Sequence, residues 1–174
     1  MLKTLRQIVR IGLVSEPAPE PGPDTGPRLQ DLHDEILSVL GRALAIRMVD
    51  AGSCNGCELE ANAINNPLYN IEGLGIRFVA SPRHADLLLV SGPVTINMAE
   101  ALRRTYDAMP EPRLVVALGD CGCDGGIFGE SGACRGRVSN VIPVDRTLPG
   151  CPPPPLDIMR GILGLFQARA ASAG

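Results

Sequence analysis

Two short runs, Leu87–Val90 (LLLV) and Leu114–Leu118 (LVVAL), are apolar at every position. A strand with one wet face alternates apolar and polar residues, so strands with no polar face belong in a sheet buried on both sides. Between the two runs, Thr95 can cap a helix whose Ala99, Leu102, Tyr106 and Met109 share one face, and Pro110 ends it. The alternation extends in both directions. Leu29, Leu32, Ile36, Leu40 and Ala43 mark an amphipathic helix, and Ala45–Val49 (AIRMV) reads as a strand ending at the turn Asp50-Ala51-Gly52-Ser53. A helix over Glu58–Asn65, strands at Ile76–Ala80 and Val141–Val144, and a last helix over Pro155–Ala168 complete the pattern.

Strands separated by helices make a parallel sheet with helices on both faces. The expected fold class is therefore α/β, a flavodoxin-like doubly wound parallel sheet over residues 28–174. Residues 1–27 stand apart. Leu2, Leu5, Ile8 and Val9 fall on one side of a short amphipathic helix, with Lys3, Arg6 and Arg10 on the other. Such a helix docks either on its own domain or on a membrane surface or partner. A Pro-rich linker, Ser15–Pro27, follows it. The net charge of −3 argues against nucleic acid as a partner, because phosphate binding calls for a basic surface. No apolar run approaches the ~20 residues that span a bilayer.

Six cysteines stand out: Cys54, Cys57, Cys121, Cys123, Cys134 and Cys151. No secretory signal is read in Met1–Val14, so reduced thiols in a cytoplasmic setting are expected, which favours metal or catalytic roles over disulfides. Cys54 and Cys57 follow the strand AIRMV, Cys121 follows LVVAL, and Cys151 follows the strand expected at Val141–Val144. In an open α/β sheet the ligand crevice lies beyond the carboxyl ends of the strands. Three strand ends thus carry four cysteines toward one crevice, among several of the chain's 20 glycines and 16 prolines. Four cysteinates suit an iron–sulfur cluster or a zinc ion. One CxxC with two distant single cysteines fits a cluster better than the paired knuckles of structural zinc sites. A thioredoxin-like redox pair would account for Cys54 and Cys57 but leave Cys121 and Cys151 unexplained.

At these residues the sequence resembles the small, cluster-bearing component shared by nickel–iron hydrogenases and by respiratory complex I, the NADH:quinone oxidoreductase. The resemblance runs through Gly52–Glu58 (GSCNGCE), Ala80–Thr95, Ala101–Cys121, Gly125–Phe128 (GGIF) and Ile142–Pro153. It implies a flavodoxin-like domain that holds one 4Fe–4S cluster on Cys54, Cys57, Cys121 and Cys151. Cys123 and Cys134 match no ligand position and read as inert thiols. Complex I members carry adjacent cysteines at the first ligand site, whereas Cys54-Asn55-Gly56-Cys57 has the hydrogenase spacing. Pro154 and Leu156 replace the Arg and Glu of the complex I pattern after the last ligand. The resemblance is thus closest to the membrane-bound, energy-converting hydrogenases.

It implies electron relay without bond-making in this chain, from a ferredoxin-like iron–sulfur subunit to a nickel–iron large subunit. Integral membrane subunits, reached through the N-terminal region, would place the chain peripherally on the cytoplasmic face of the membrane. A quinone-side component of a complex I-like enzyme and a structural four-cysteine zinc module are the alternatives. Glu58, Glu60, Asp120 and Asp124 crowd the cysteines and read first as helix-start and turn residues, or else as groups that tune the cluster or pass protons. Arg83 and His84 read as a solvated turn, with His84 as a proton-coupled neighbour of the cluster the sharper option. Arg103 and Arg104 sit off the apolar face of their helix, toward solvent or an interface with another chain.

Overall fold

A computed structural model describes residues 2–11, 34, 38 and 43–173. Its elements are α1 (Leu2–Ile11), β1 (Leu44–Asp50), α2 (Gly56–Ala63), β2 (Ile76–Phe78), β3 (Leu87–Ser91), α3 (Ile96–Asp107), β4 (Leu114–Leu118), α4 (Gly119–Asp124), β5 (Arg146–Leu148) and α5 (Pro155–Ala173). All five strands pair in parallel, in the order β2-β1-β3-β4-β5. This is the doubly wound, flavodoxin-like sheet that the apolar runs predict. The linker at Ser15–Pro27 lies outside the described residues, as does the helix expected over residues 29–43 except for Asp34 and Ser38, which are helical. On α1 the described side chains, Leu2, Lys3, Arg6, Val9 and Arg10, are all exposed. Among the described residues no helix is long and apolar enough to cross a membrane.

The two faces of the sheet explain why LLLV and LVVAL carry no polar residue. Leu87, Leu89, Leu114, Val116 and Leu118 pack against Ala61 of α2, Ile64 at its C-cap, and Ile158, Ile162 and Phe166 of α5. Leu88, Val90, Val115 and Ala117 pack on the opposite face with Leu102 of α3, Met109, Val138 and Ile142. Thr95 occupies the N-cap of α3, as expected, but its side chain makes no capping hydrogen bond.

The expected strand at Val141–Val144 is not one. Val138–Asn140 forms a single 3₁₀ turn, and the N–H groups of Val141 and Ile142 bond back to the Val138 carbonyl. Val138 and Ile142 are apolar because they plug the core under this turn. The strand is instead Arg146–Leu148, paired with Val116–Leu118. It is an edge strand that buries only Leu148, so it lacks a hydrophobic run to betray it.

Two aspartates close the amino ends of the strands by one device. Asp86 donates its N–H to the Ala45 carbonyl and accepts the Ala45 N–H on Oδ2 at 2.9 Å. Asp145 does the same at Val115, accepting at 2.8 Å. Asp86 is buried, so Asp86→Ala strands the Ala45 N–H away from water. The expected cost is about 1–3 kcal/mol. At roughly 2–4 °C per kcal/mol for a chain of this size, a thermal melt reads it directly. An unchanged melting temperature would show that water replaces the carboxylate.

Candidate metal centre

The site forms where the chain reverses direction across the sheet. From β1 it goes outward to β2, then back past β1 to β3, leaving a crevice beyond the carboxyl ends of the strands. After β1, Asp50 Oδ1 accepts the N–H groups of Gly52 and Ser53, each at 2.7 Å, and bends the chain sharply. Asn55, left-handed at φ 73°, then starts α2, with its N–H satisfied by Ser53 Oγ at 3.1 Å. This brings Cys54 to the surface and Cys57 into the first turn of α2, half-buried.

Strand β4 runs into α4 without a loop, so Cys121, just after the strand as expected, sits on the first turn of a helix. Cys151 lies three residues beyond β5, closer to its strand than the sequence suggests because β5 begins at Arg146. Asp120 joins the two segments. Its N–H donates to the Gly150 carbonyl at 2.9 Å, and its Oδ1 accepts the Gly150 N–H at 2.7 Å.

These elements bring the four sequence-predicted cysteines together. Cys54, Cys121 and Cys151 line one pocket of about 480 Å³ with Asp120, Asp124, Gly126, Ile127 and Phe128. Cys57 lies behind it, against the backbone: a Cβ placed on Gly119 would stand 2.5 Å from its Sγ. Likewise a Cβ on Gly126 would stand 2.9 Å from Cys121 Sγ. Both glycines have positive φ, 78° and 52°, so two sulfurs rest on bare backbone that L side chains would both strain and fill. All six cysteines are free.

The four sulfurs also feel one another electrostatically. Burial, then Glu58, then Cys121, Cys54 and Cys151 push the Cys57 thiol up to about 12. Burial raises Cys121 as well, followed by Cys151, Cys54 and Asp120. Among the described residues no three His, Cys, Asp or Glu side chains are grouped to hold a single metal ion.

The remaining polar residues sort themselves by their bonds. Asp120 stands in the first turn of α4, and Asp124 ends that helix and accepts the Gly126 N–H at 2.7 Å. Glu58 faces inward: its Oε1 accepts the Ser91 hydroxyl at the end of β3. Nothing in the sequence singles out Ser91, which reads only as the first residue of a turn. Cys123 donates weakly to the Ala117 carbonyl at 3.6 Å, and burial pushes its thiol up to about 11. His84 as a neighbour of the cysteines is corrected by topology. Pro82–His84 precedes β3, whereas the cysteines follow strand ends, so the sheet lies between them. Arg103 and Arg104 are exposed, and Arg104 pairs with Glu100 at 2.8 Å.

Residues 54–165 match the model of the NADH ubiquinone oxidoreductase 20 Kd subunit family, from the first of these cysteines to beyond the last. The chain belongs to that family. It is 40% identical over 136 residues to the probable membrane-bound hydrogenase subunit mbhJ of Pyrococcus furiosus, covering 78% of this chain and 81% of the relative. It is 39% identical over 149 residues to formate hydrogenlyase subunit 7 of Escherichia coli, covering 84% of this chain and 58% of that one. Among solved structures it resembles a chain of the membrane-bound sulfane sulfur reductase, an archaeal respiratory membrane complex. That match has TM-score 0.64 and 30% identity, over 79% of this chain and 75% of the other. Relatives of this 20 Kd-type chain are thus parts of oxidoreductase complexes, several of them membrane-bound.

Proposed function

We propose that this 20 Kd-type chain is the electron-relay component of a membrane-bound, multi-subunit nickel–iron hydrogenase, holding one 4Fe–4S cluster on Cys54, Cys57, Cys121 and Cys151. The observation that carries the reading is that free Cys54, Cys121 and Cys151, from three strand ends, line one pocket, with free Cys57 behind it. The donor set fits the group. A zinc ion draws four sulfurs to about 2.3 Å from one centre. A four-iron cluster gives each thiolate its own iron and so takes sulfurs that stand farther apart. When bound, the cluster supplies a one-electron couple.

The chain's own residues do the rest. Asp120 locks the β5 exit to α4, so that Cys121 and Cys151 keep a fixed separation. Gly119 and Gly126 keep the floor low enough for the sulfurs. Burial holds the proton on Cys57, and Cys57 would have to give it up to hold iron as a thiolate.

Electrons would enter from a ferredoxin-like subunit and leave for a large catalytic subunit, on the cytoplasmic face of the membrane. The hydrogenase reading over its complex I-like counterpart rests on the Cys54-Asn55-Gly56-Cys57 spacing and on Pro154 and Leu156 after the last cysteine.

Iron and acid-labile sulfide in the anaerobically purified complex test the proposal. Replacing any of the four cysteines by Ser is expected to remove most of this chain's iron and its reduced-state EPR signal, while Cys123→Ser leaves both unchanged. Stoichiometric zinc with no iron in the native chain would overturn the relay. A large subunit without cysteine pairs able to hold nickel would move the chain to the complex I-like reading.

A further inference from the structure

Helix α1 buries none of its described side chains. Its sequence puts Leu2, Leu5, Ile8 and Val9 on one side and Lys3, Arg6 and Arg10 on the other. A helix docked on its own sheet would bury the apolar side, yet Leu2 is 80% and Val9 81% exposed. Lys3, Arg6 and Arg10 are exposed as well. A helix of ten residues is marginal in water when nothing packs against it, so the pattern calls for a surface that completes it.

Charge and length say what that surface is. The segment LKTLRQIVRI carries three basic residues and no acidic one, which is +3 in a chain of net charge −3 and leaves −6 to the rest. Positive charge is thus concentrated on one short element, directly beside apolar side chains. Ten residues rise about 15 Å, half of a hydrocarbon core of roughly 30 Å, so α1 is too short to cross a bilayer and long enough to lie along one. A leaflet of anionic lipid offers phosphate charge outside and acyl chains just beneath. Lysine and arginine stems are long enough to keep their charged ends at the phosphates while the helix sinks its apolar side.

We propose that α1 is an in-plane lipid anchor, laying the side that carries Leu2 and Val9 into the acyl boundary of an anionic leaflet while Lys3, Arg6 and Arg10 pair with its phosphates. The inference needs no cluster. It deepens only the membrane-bound part of the proposed function, so vesicle binding and iron content fail independently.

Sedimentation of the purified full chain with protein-free vesicles tests it. Vesicles of phosphatidylcholine mixed with phosphatidylglycerol are expected to carry the chain down, and phosphatidylcholine alone to leave most of it in solution. High salt should release part of it, because screening weakens the charge contacts and spares the apolar ones. Lys3→Gln, Arg6→Gln and Arg10→Gln together remove charge alone. At about fivefold per basic residue, they should cut partitioning into anionic vesicles about a hundredfold. Leu2→Asn with Val9→Asn keeps the charge and should cut it at least about tenfold. Arg83→Gln, Arg103→Gln and Arg135→Gln together remove the same charge from exposed positions on the body, and should bind like the native chain. Equal binding to both vesicle types would overturn the proposal, as would native binding by the α1 Gln variant or an equal loss from the body variant. A lowered melting temperature in either α1 variant would place the helix on its own body and overturn it too. Attachment to native membranes with no binding to protein-free vesicles would assign α1 to a membrane-embedded protein instead.

Discussion

Gly119→Ala is expected to empty the proposed cluster site while leaving the sheet standing. Gly119 has φ +78°, and an added methyl would lie 2.5 Å from Cys57 Sγ, well inside van der Waals contact. The sulfur cannot retreat freely, because Cys57 is fixed in the first turn of α2 and packs against the core beneath the sheet. The backbone strain alone is about 1–3 kcal/mol. Stability therefore falls by a measurable but tolerable amount, whereas a displaced ligand disrupts the site, since ligands must be held within fractions of an ångström. The expected result is a folded chain with most of its iron lost and a melting temperature a few degrees lower. Native iron content in Gly119→Ala would mean that Cys57 is not a ligand. Gly129→Ala is the control. It has a similar φ of 54° but nothing within 4 Å of its added methyl, so strain is present without the collision and iron should be retained.

Such a collision is invisible in a sequence, whereas much of the fold around it is not. LLLV and LVVAL can be read because a strand buried on both faces has no polar residue. Arg146–Leu148 cannot, because an edge strand needs only one buried side chain, and the apolar turn before it mimics a strand. The cysteines can be placed at strand ends because parallel topology orders those ends, and a shift of β5 by a few residues leaves Cys151 at the same rim. The distance of His84 from them is hidden, because nearness to an apolar run says nothing about which end of the strand a residue occupies. Ser91 is invisible for a different reason. Its role depends on Glu58, 33 positions away, and a pairing at that separation exists only once β1 and β3 lie side by side.

Ile127→Asp is expected to leave this chain folded and to expel it from its complex. Ile127 is 95% exposed and Phe128 50% exposed, on a turn held by bonds from Gly126 N–H to Asp124 and from Phe128 and Gly129 N–H to the Gly125 carbonyl. The turn keeps its shape without either side chain, so the substitution should change the melting temperature little. Both residues line the cysteine pocket, and exposed apolar groups around a site mark a surface that a partner covers. Relatives of this chain work inside multi-subunit complexes, so such a partner exists for proteins of this kind. Burying Ile127 in the assembled state is worth roughly 1.5–3 kcal/mol, about tenfold to more than a hundredfold in affinity. An unpaired carboxylate in its place adds its own desolvation penalty. Co-purification with the tagged partner subunits should therefore drop at least tenfold for Ile127→Asp, while Leu68→Asp, also exposed but not among the pocket residues, assembles normally. Equal losses from the two variants would place the apolar contact elsewhere. Native assembly of Ile127→Asp would mean that the rim of the pocket faces water, where the cysteines would have no protein cover against oxidation.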